Sequence, residues 1–427
     1  MNQQAAAPKS PHFLMALLYV GCLISYVDRQ LISLLMSDIQ KEMKLEDWQL
    51  GFVSGTAFAL FYIAMGIPLA RLADRVNRVR MLAWCVAAWS VMTALCGAAV
   101  GATQLALARV GVAVGEAGGY PSSLSLISDL YPPRQRATVT SIFFSATTAG
   151  ALVALVIGGY LNDLIGWRLT FVAAAAPGVL LTALLFFGTR EPVRGAMDPP
   201  HVATADVPPD MWGALKLLFG NPFYRTAAIG MVIATVNQFS VAVWAPTYAI
   251  RAFHLSTTQA GLGLGLSLGL GSGLVLILIG RVGDYVARRN NAAPIYVAVA
   301  GQLICIPLLA LAWSRPDFTS FCLFYFVGYA AMACIGPMVI TSTQIVIPAR
   351  MRGTAATILV MLSTLFGLGL GPTLVGIFSD LMPTLSADER LRRALMFGLA
   401  FNVVGACALI WAARIRMRQG GTAPVAA

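Results

Sequence analysis

Charge is scarce in this chain. Only 11% of its 427 residues are Asp, Glu, Lys or Arg, while 58% are hydrophobic, and the mean hydropathy is +0.76. No soluble core of this length needs so much apolar surface, so a water-soluble globular class is excluded. Histidine is scarcer still, with three residues, His12, His201 and His254. There is no Ser/His/Asp set, HExxH pattern or phosphate-binding glycine loop, which predicts no enzyme, no catalytic residue, no metal site and no cofactor. The seven cysteines lie in apolar runs without a CxxC or Cys/His cluster and read as small hydrophobes. The opening residues MNQQAAAPKSPH lack a charged n-region and a small-residue cleavage site, so the first apolar run is expected to stay in the mature protein.

What is present is a series of continuous apolar runs, each about twenty residues long. A barrel strand would alternate over about ten, so the spans are helices. About twelve can be drawn, including a fourth over 104–130, a fifth over 138–161, a sixth over 168–188 and an eighth over 259–280. The long polar gap holds EPVRGAMDPPHVATADVPPD, rich in proline and acid and without helical period. The expectation is an all-α integral membrane protein: a six-helix bundle over 1–188, a flexible cytoplasmic linker over 189–222, and a second six-helix bundle with a short cytoplasmic tail over 223–427.

The net charge of +11 is spread over short loops and not gathered into one patch, which argues against nucleic acid. Membrane topology accounts for it better. Alternate loops place roughly eighteen of the 29 Lys and Arg residues on the face that carries both termini and the linker, so both termini are expected in the cytoplasm. The composition fits a multi-pass protein of a bacterial inner (plasma) membrane, expected as a monomer among membrane lipids.

One apolar stretch, Ala108 to Thr138, carries charge. Arg109 and Glu116 stand two helical turns apart with little net rotation, so they share a face, with Tyr120 and Ser123 beside them. Gly111, Gly115, Gly118 and Gly119 occupy the opposite face, a packing seam for a neighbouring helix. An intramembrane ion pair marks a candidate functional site. The first span is interrupted likewise by Ser25-Tyr26-Val27-Asp28-Arg29-Gln30. Full charges there cost several kcal/mol unless paired or facing water, which predicts a cavity.

Internal repetition supports two halves. ARLADRVNRVR (Ala70 to Arg80) follows the second span, and GRVGDYVARR (Gly280 to Arg289) follows the eighth, an offset of about 210 residues. Pro132 to Thr138 echoes Pro348 to Thr354, and Gly159-Tyr160-Leu161-Asn162-Asp163 echoes Gly376-Ile377-Phe378-Ser379-Asp380. The loop signature Gly-x-x-x-Asp-x-x-x-Arg-Arg in a chain of six plus six helices resembles the major facilitator superfamily across essentially the whole length. The resemblance implies the major facilitator fold, two bundles of 12 transmembrane helices rocking about a central site. Ala70 stands where the first signature has Gly. Asp74, Arg75, Arg78, Gly280, Asp284, Arg288 and Arg289 are then candidates for a conformational latch, the aspartates accepting from helix N-terminal amides. The competing reading is that they fix topology alone.

Asp28, Arg29, Arg109 and Glu116 sum to zero charge when all are ionised. Burial and a neighbouring arginine act oppositely on a carboxyl group, so Asp28 or Glu116 can titrate near neutral pH and change partners during transport. This points to proton coupling; an inert ion pair joining spans one and four is the alternative. Tyr-x-Asp-Arg in the first span, Arg109, Gly115-Glu116-Ala117, Ser128-Asp129, Arg136-Ala137, Gly166-Trp167-Arg168 and Pro177-Gly178 together resemble the bacterial branch of the spinster family. That resemblance implies an exporter of lysophospholipids or sphingoid lipids, with Asp28, Arg109 and Glu116 in proton coupling. Ser25 and Ala146-Thr147 depart from the family pattern.

An organic anion symporter for sugar acids or aromatic acids is the second reading, since it shares the Asp-Arg and Arg/Glu pairs. Phe58, Phe61, Tyr62 and Met65 form an apolar stripe in the second span. Asn237, Trp244 and Tyr248 form another in the seventh, with Tyr325 and Tyr329 in the tenth. With Tyr26 and Tyr120 these are candidate contacts for a small amphipathic or anionic substrate, although such stripes also arise from helix packing. GLGLGLSLGLGSG, Gly261 to Gly273, lies inside a span and reads as close helix packing, not a nucleotide loop. A receptor or scaffold without transport is the reading from a different class; it predicts ligand binding with no flux into liposomes.

Overall fold

The protein is described from a computed structural model covering residues 11–197, 211–271, 278, 281–282, 285–286, 293–348 and 351–418. Every regular element among them is helical. The first half comprises α1 (Pro11–Met43), α2 (Asp47–Ala73), α3 (Arg78–Ala98), α4 (Ala102–Ala117), α5 (Gly119–Leu130) and α6 (Pro133–Gly188). Then come α7 (Met211–Gly220), α8 (Pro222–Phe253), α9 (Thr257–Gly265), α10 (Ala293–Trp313), α11 (Phe318–Ala333), α12 (Ile335–Val346), α13 (Arg352–Asp380) and α14 (Ala387–Arg418).

Local chemistry sets the boundaries. Asn77 accepts from the Arg80 amide and opens α3, while Asn221 accepts from the amides of Phe223 and Tyr224 and opens α8, with Pro222 in the first turn. Asp317 accepts from the Ser320 amide at 2.8 Å and opens α11; that bond holds its carboxyl below the usual carboxylate range. Large apolar side chains face outward, such as Phe187, Trp84 and Leu107, as a lipid-facing surface requires.

Eight of these helices, and α11 with α12 taken together over Phe318–Val346, are long and apolar enough to cross a membrane, which makes nine candidate spans among the described residues. The difference from about twelve expected spans has three sources. The fourth span divides at Gly118 into α4 and α5, each shorter than a full crossing. The fifth and sixth run together as α6, broken at Gly166, whose φ of 77° suits glycine. The later part of the eighth lies outside the described residues.

The region 189–222, expected to be a flexible linker without helical period, contains α7. Its sequence MWGALKLLFG is a short apolar decamer, which the surrounding proline and acid conceal. The described residues within the gap are 189–197 and 211–222.

Two compact units emerge. Unit 1 takes 11–45, 57–197 and 256–265 of the described residues; unit 2 takes 46–56, 211–255 and those from 266 to 418. The units therefore differ from the halves 1–188 and 223–427 by an exchange of two helix starts. In unit 1, α9 lies on α6 through glycine: a Cβ at Gly159 would meet the Thr257 carbonyl oxygen at 2.7 Å, and one at Gly265 would meet Val156 at 3.0 Å. In unit 2, the Asp47–Gly51 helix start lies on α13. A Cβ at Gly376 would fall 2.6 Å from the Asp47 carbonyl carbon.

Candidate functional site

The glycine seam forms as the periodicity predicts. A Cβ at Gly115 would lie 2.8 Å from the Trp89 amide nitrogen, and one at Gly111 would meet Met92, so α4 presses its small-residue face on α3. The opposite face is turned inward: Arg109 and Glu116 are 2% and 1% exposed. They do not pair with each other. Two turns separate them by about 10 Å along the axis, so the partner must come from another helix. Arg29 of α1 supplies it, its Nε donating to Glu116 Oε2 at 2.7 Å. Ser25 donates to the same oxygen at 2.8 Å.

Asp28, 1% exposed, accepts from Thr93 of α3 at 3.0 Å through Oδ2. Arg109 donates to the Asp28 backbone carbonyl at 3.4 Å and, among the described residues, makes no ion pair. Its guanidinium rests instead on the Phe58 ring, 5.0 Å from the centroid. Arg29 shares that ring at 4.9 Å, and also lies over Tyr62 at 4.6 Å and Tyr26 at 5.3 Å. Each such contact contributes about 0.5 to 2 kcal/mol, depending on desolvation.

Each of the four charged residues retains one buried polar atom without a hydrogen-bond partner: Asp28 Oδ1, one terminal nitrogen of Arg29, Arg109 Nε and Glu116 Oε1. Buried groups of this kind are normally satisfied, so four within one cluster need a reason. The cluster has spare valences through which partners can be exchanged. Beside it lies a cavity of about 20 Å³, lined by Glu116, Ser25, Cys22, Tyr120 and Ser123 with apolar neighbours. That is room for about one water.

The other sequence-derived positions fall as follows. Tyr26 and Tyr62 stand at the Arg29 guanidinium; Tyr120 packs on Phe143 and Phe144. In unit 2, Asn237 is bonded to Asn402, Trp244 Nε1 donates to the Pro372 carbonyl at 2.9 Å, and Tyr248 donates to the Trp313 carbonyl at 3.0 Å. Tyr325 is buried and stacks on Phe321 and on Tyr329, which is half-buried.

At the loop signature, Asp74 and Arg75 are exposed, and the Asp74 backbone carbonyl accepts from Arg194. Arg78 is buried and bound to Asp129, to Glu191 at 2.6 Å and to Ser125 at 2.8 Å. It braces the start of α3, the end of α5 and the stretch after α6 within unit 1. The second copy, Gly280, Asp284, Arg288 and Arg289, lies outside the described residues.

Three features escaped the sequence reading. Asp163 accepts from the Thr257 and Thr258 amides at 3.2 and 2.8 Å, and Asp380 accepts from the Asp47 and Trp48 amides at 3.3 and 2.8 Å. Their signal was the third echo, which places both aspartates at matching positions. Arg168 ties the end of α3 through the Gly97 and Ala99 carbonyls while pairing with Glu42 of α1. An amide network, Asn237 to Asn402 to Gln302, is fully buried in unit 2; single polar residues in separate spans carry no periodic signal.

Membrane-length helices, glycine seams and a buried charge cluster define a polytopic helical protein of the transporter class. The Major Facilitator Superfamily profile matches residues 18–372, and the chain belongs to that family. It is a membrane transporter and not an enzyme, spinster-like in its relatives. It is 31% identical over 400 residues to an MFS-type efflux pump of Mycolicibacterium smegmatis, covering 93% of this chain and 91% of that one. It is 29% identical over 378 residues to protein spinster homolog 1 of Rattus norvegicus, covering 84% and 71%. Among solved structures, a bacterial homolog to the human lysosomal transporter Spinster, in an inward-facing and unoccupied conformation, superposes with a TM-score of 0.87 at 26% identity, covering 96% and 98%.

Proposed function

We propose that the chain is a proton-coupled secondary active transporter working by alternating access, with an amphipathic or lipid-like substrate of lysophospholipid or sphingoid type. The observation that carries the reading is Glu116: a buried carboxylate with one oxygen on Arg29 and Ser25 and the other unpartnered, in a residue that lines a water-sized cavity. Protonation of Glu116 removes the charge that holds Arg29 as an ion pair, and Asp28 Oδ1 is a second acceptor without a hydrogen-bond partner within the same cluster. Charge balance then changes with each proton, which lets a pH gradient bias two conformations. Asp28 shares the coupling role, and Arg29 and Arg109 hold the carboxylates or an anionic headgroup.

The substrate class draws on the efflux-pump and spinster relatives and on the aromatic surroundings of Tyr26, Tyr62 and Tyr120. Within unit 2, Asn237, Trp244, Tyr248, Tyr325 and Tyr329 are proposed separately as substrate contacts, with Asp74, Arg75 and Arg78 and their second-half counterparts as the latch. Orientation with both termini in the cytoplasm of a plasma membrane, as a monomer, belongs to the same reading.

The test is a thermal-shift panel of lysophosphatidylcholine, sphingosine, gluconate and benzoate on purified protein. A ligand at a hundred times its Kd stabilises by about 2.7 kcal/mol. Shifts with the two lipids support the reading. Shifts confined to the two acids replace it with the organic anion symporter.

A further inference from the structure

Phe58 is fully enclosed, and it meets two cations at once. The sequence marks it as a candidate substrate contact; its neighbours give it different work. For Arg109, which makes no ion pair among the described residues, the ring stands where a carboxylate normally would. For Arg29, it is one of three aromatic faces around a guanidinium whose anionic partner is Glu116. Tyr62 stacks on Phe58 at 5.6 Å and 16°, which fixes the ring's plane.

Its place along α2 adds a second, independent observation. The segment Phe52–Thr56 is π-helical, and the chain passes from unit 2 to unit 1 between Thr56 and Ala57. Upstream of that passage the helix is fixed within unit 2. The Thr56 hydroxyl donates to the Gly369 carbonyl and lies 2.8 Å from Thr373 Oγ1. A Cβ at Gly55 would lie 2.5 Å from the Leu368 carbonyl oxygen. Two residues downstream of Thr56 stands the ring that carries both arginines. A π-helical turn holds one residue more than an α-helical turn, so a helix can shift register there at low cost.

We propose that Phe58 is a positioning residue that couples the charge state of the Arg29–Glu116 pair to the helix segment Asp47–Thr56. Loss of charge on Glu116 leaves Arg29 with a neutral acceptor in place of its anionic partner, so the aromatic faces hold it relatively more strongly and it settles onto the rings. Phe58 then serves two cations of which neither has a carboxylate, and its backbone responds at the π-helical turn beside it. The inference rests on the proton-carrier role proposed for Glu116, but its test has a readout that does not depend on transport.

Phe58 is replaced by 4-fluoro-, 3,5-difluoro- and 3,4,5-trifluorophenylalanine, which keep the ring's shape while draining its negative face. Each is combined with Glu116 or Glu116→Gln, and amide hydrogen exchange is read on peptides spanning 47–58 in lipid nanodiscs. With natural phenylalanine, Glu116→Gln is expected to change exchange in this segment by at least about threefold. That effect should fall stepwise with fluorination and vanish in Phe58→Leu. An effect that is absent with natural phenylalanine, or equal across the whole fluorinated series, overturns the proposal even if Phe58→Leu does not fold. Proton flux into pyranine-loaded liposomes is measured separately. Proton-independent transport sinks the coupling role of Glu116 while leaving the exchange result to decide the role of Phe58.

Discussion

Asp380 serves the helix start at Asp47 as Asp163 serves the one at Thr257. Each carboxylate accepts two successive amides, at 3.3 and 2.8 Å in one case and 3.2 and 2.8 Å in the other. Both helix starts belong to the segments exchanged between the sequence halves. Such a cap satisfies orphan donors and meets the positive end of the helix dipole. Ser379 adds a bond to Asp47, and Asn162 adds one to Thr257 at 2.9 Å. Two caps of one geometry at positions related by the internal repeat behave as a matched pair.

The first prediction follows from that pair. Asp380→Ala should loosen 47–51 and Asp163→Ala should loosen 257–261, each by about 1 kcal/mol, with roughly fivefold faster amide exchange. The double variant should show both effects additively, because the caps share no partner. Exchange unchanged at both helix starts would remove any holding role for the two carboxylates.

A second prediction separates brace from latch. Arg78→Ala leaves Asp129 and Glu191 without the cation they share, so stability should fall by about 3 kcal/mol. Arg78→Lys should recover little of it, since one ammonium cannot reproduce the forked geometry that reaches Ser125, Asp129 and Glu191 together. Asp74→Ala should leave the melting temperature nearly unchanged, its side chain being exposed. If Asp74→Ala and Asp284→Ala together also leave transport unchanged, the signature serves topology alone.

Orientation gives a third. In a background lacking all seven cysteines, the exposed Cys407 included, single cysteines at Ala5, Ala203 and Ala423 should resist a membrane-impermeant maleimide added outside intact cells. Labelling of any of them from outside overturns the assignment of the termini and linker to the cytoplasm.

The parts of this architecture that sequence reveals are those governed by helical period and by apolar length. Arg109 and Glu116 share an inward face opposite Gly111 and Gly115 because 3.6 residues per turn dictates it. The choice of partner is not periodic. Whether Glu116 meets Arg29 or Asp28 meets Arg109 depends on how α1 is rotated about its own axis, and side-chain packing between helices sets that. The same limit hid the second role of Phe58, whose apolar stripe looks alike whether it faces substrate or cations. Exchange of 46–56 and 256–265 between units is likewise illegible, since a helix start carries no mark of the unit it will join. Asp163 and Asp380 were visible as an echo; what they cap was not.

The last prediction concerns the charge cluster itself. Glu116→Gln keeps the shape of the side chain and can still accept from Arg29 and Ser25, but it cannot release a proton. Flux driven by a pH gradient should fall by at least about a hundredfold, the low end for a lost proton-transfer group, while substrate exchange at equal pH persists. Asp28→Asn should reduce driven flux as well, with the Thr93 bond retained because an amide oxygen accepts as a carboxylate does. Arg109→Ala should harm driven flux and exchange alike: it removes the cation on the Phe58 ring and the donor to the Asp28 carbonyl. Arg29→Ala leaves Glu116 buried without its cation, so stability should drop by about 3 kcal/mol in addition to the loss of coupling. The assay is accumulation and counterflow in proteoliposomes with the lipid that gives the largest thermal shift. Wild-type accumulation in both Glu116→Gln and Asp28→Asn would make the cluster a structural ion-pair network, because no carboxylate in it would then be needed to carry the proton.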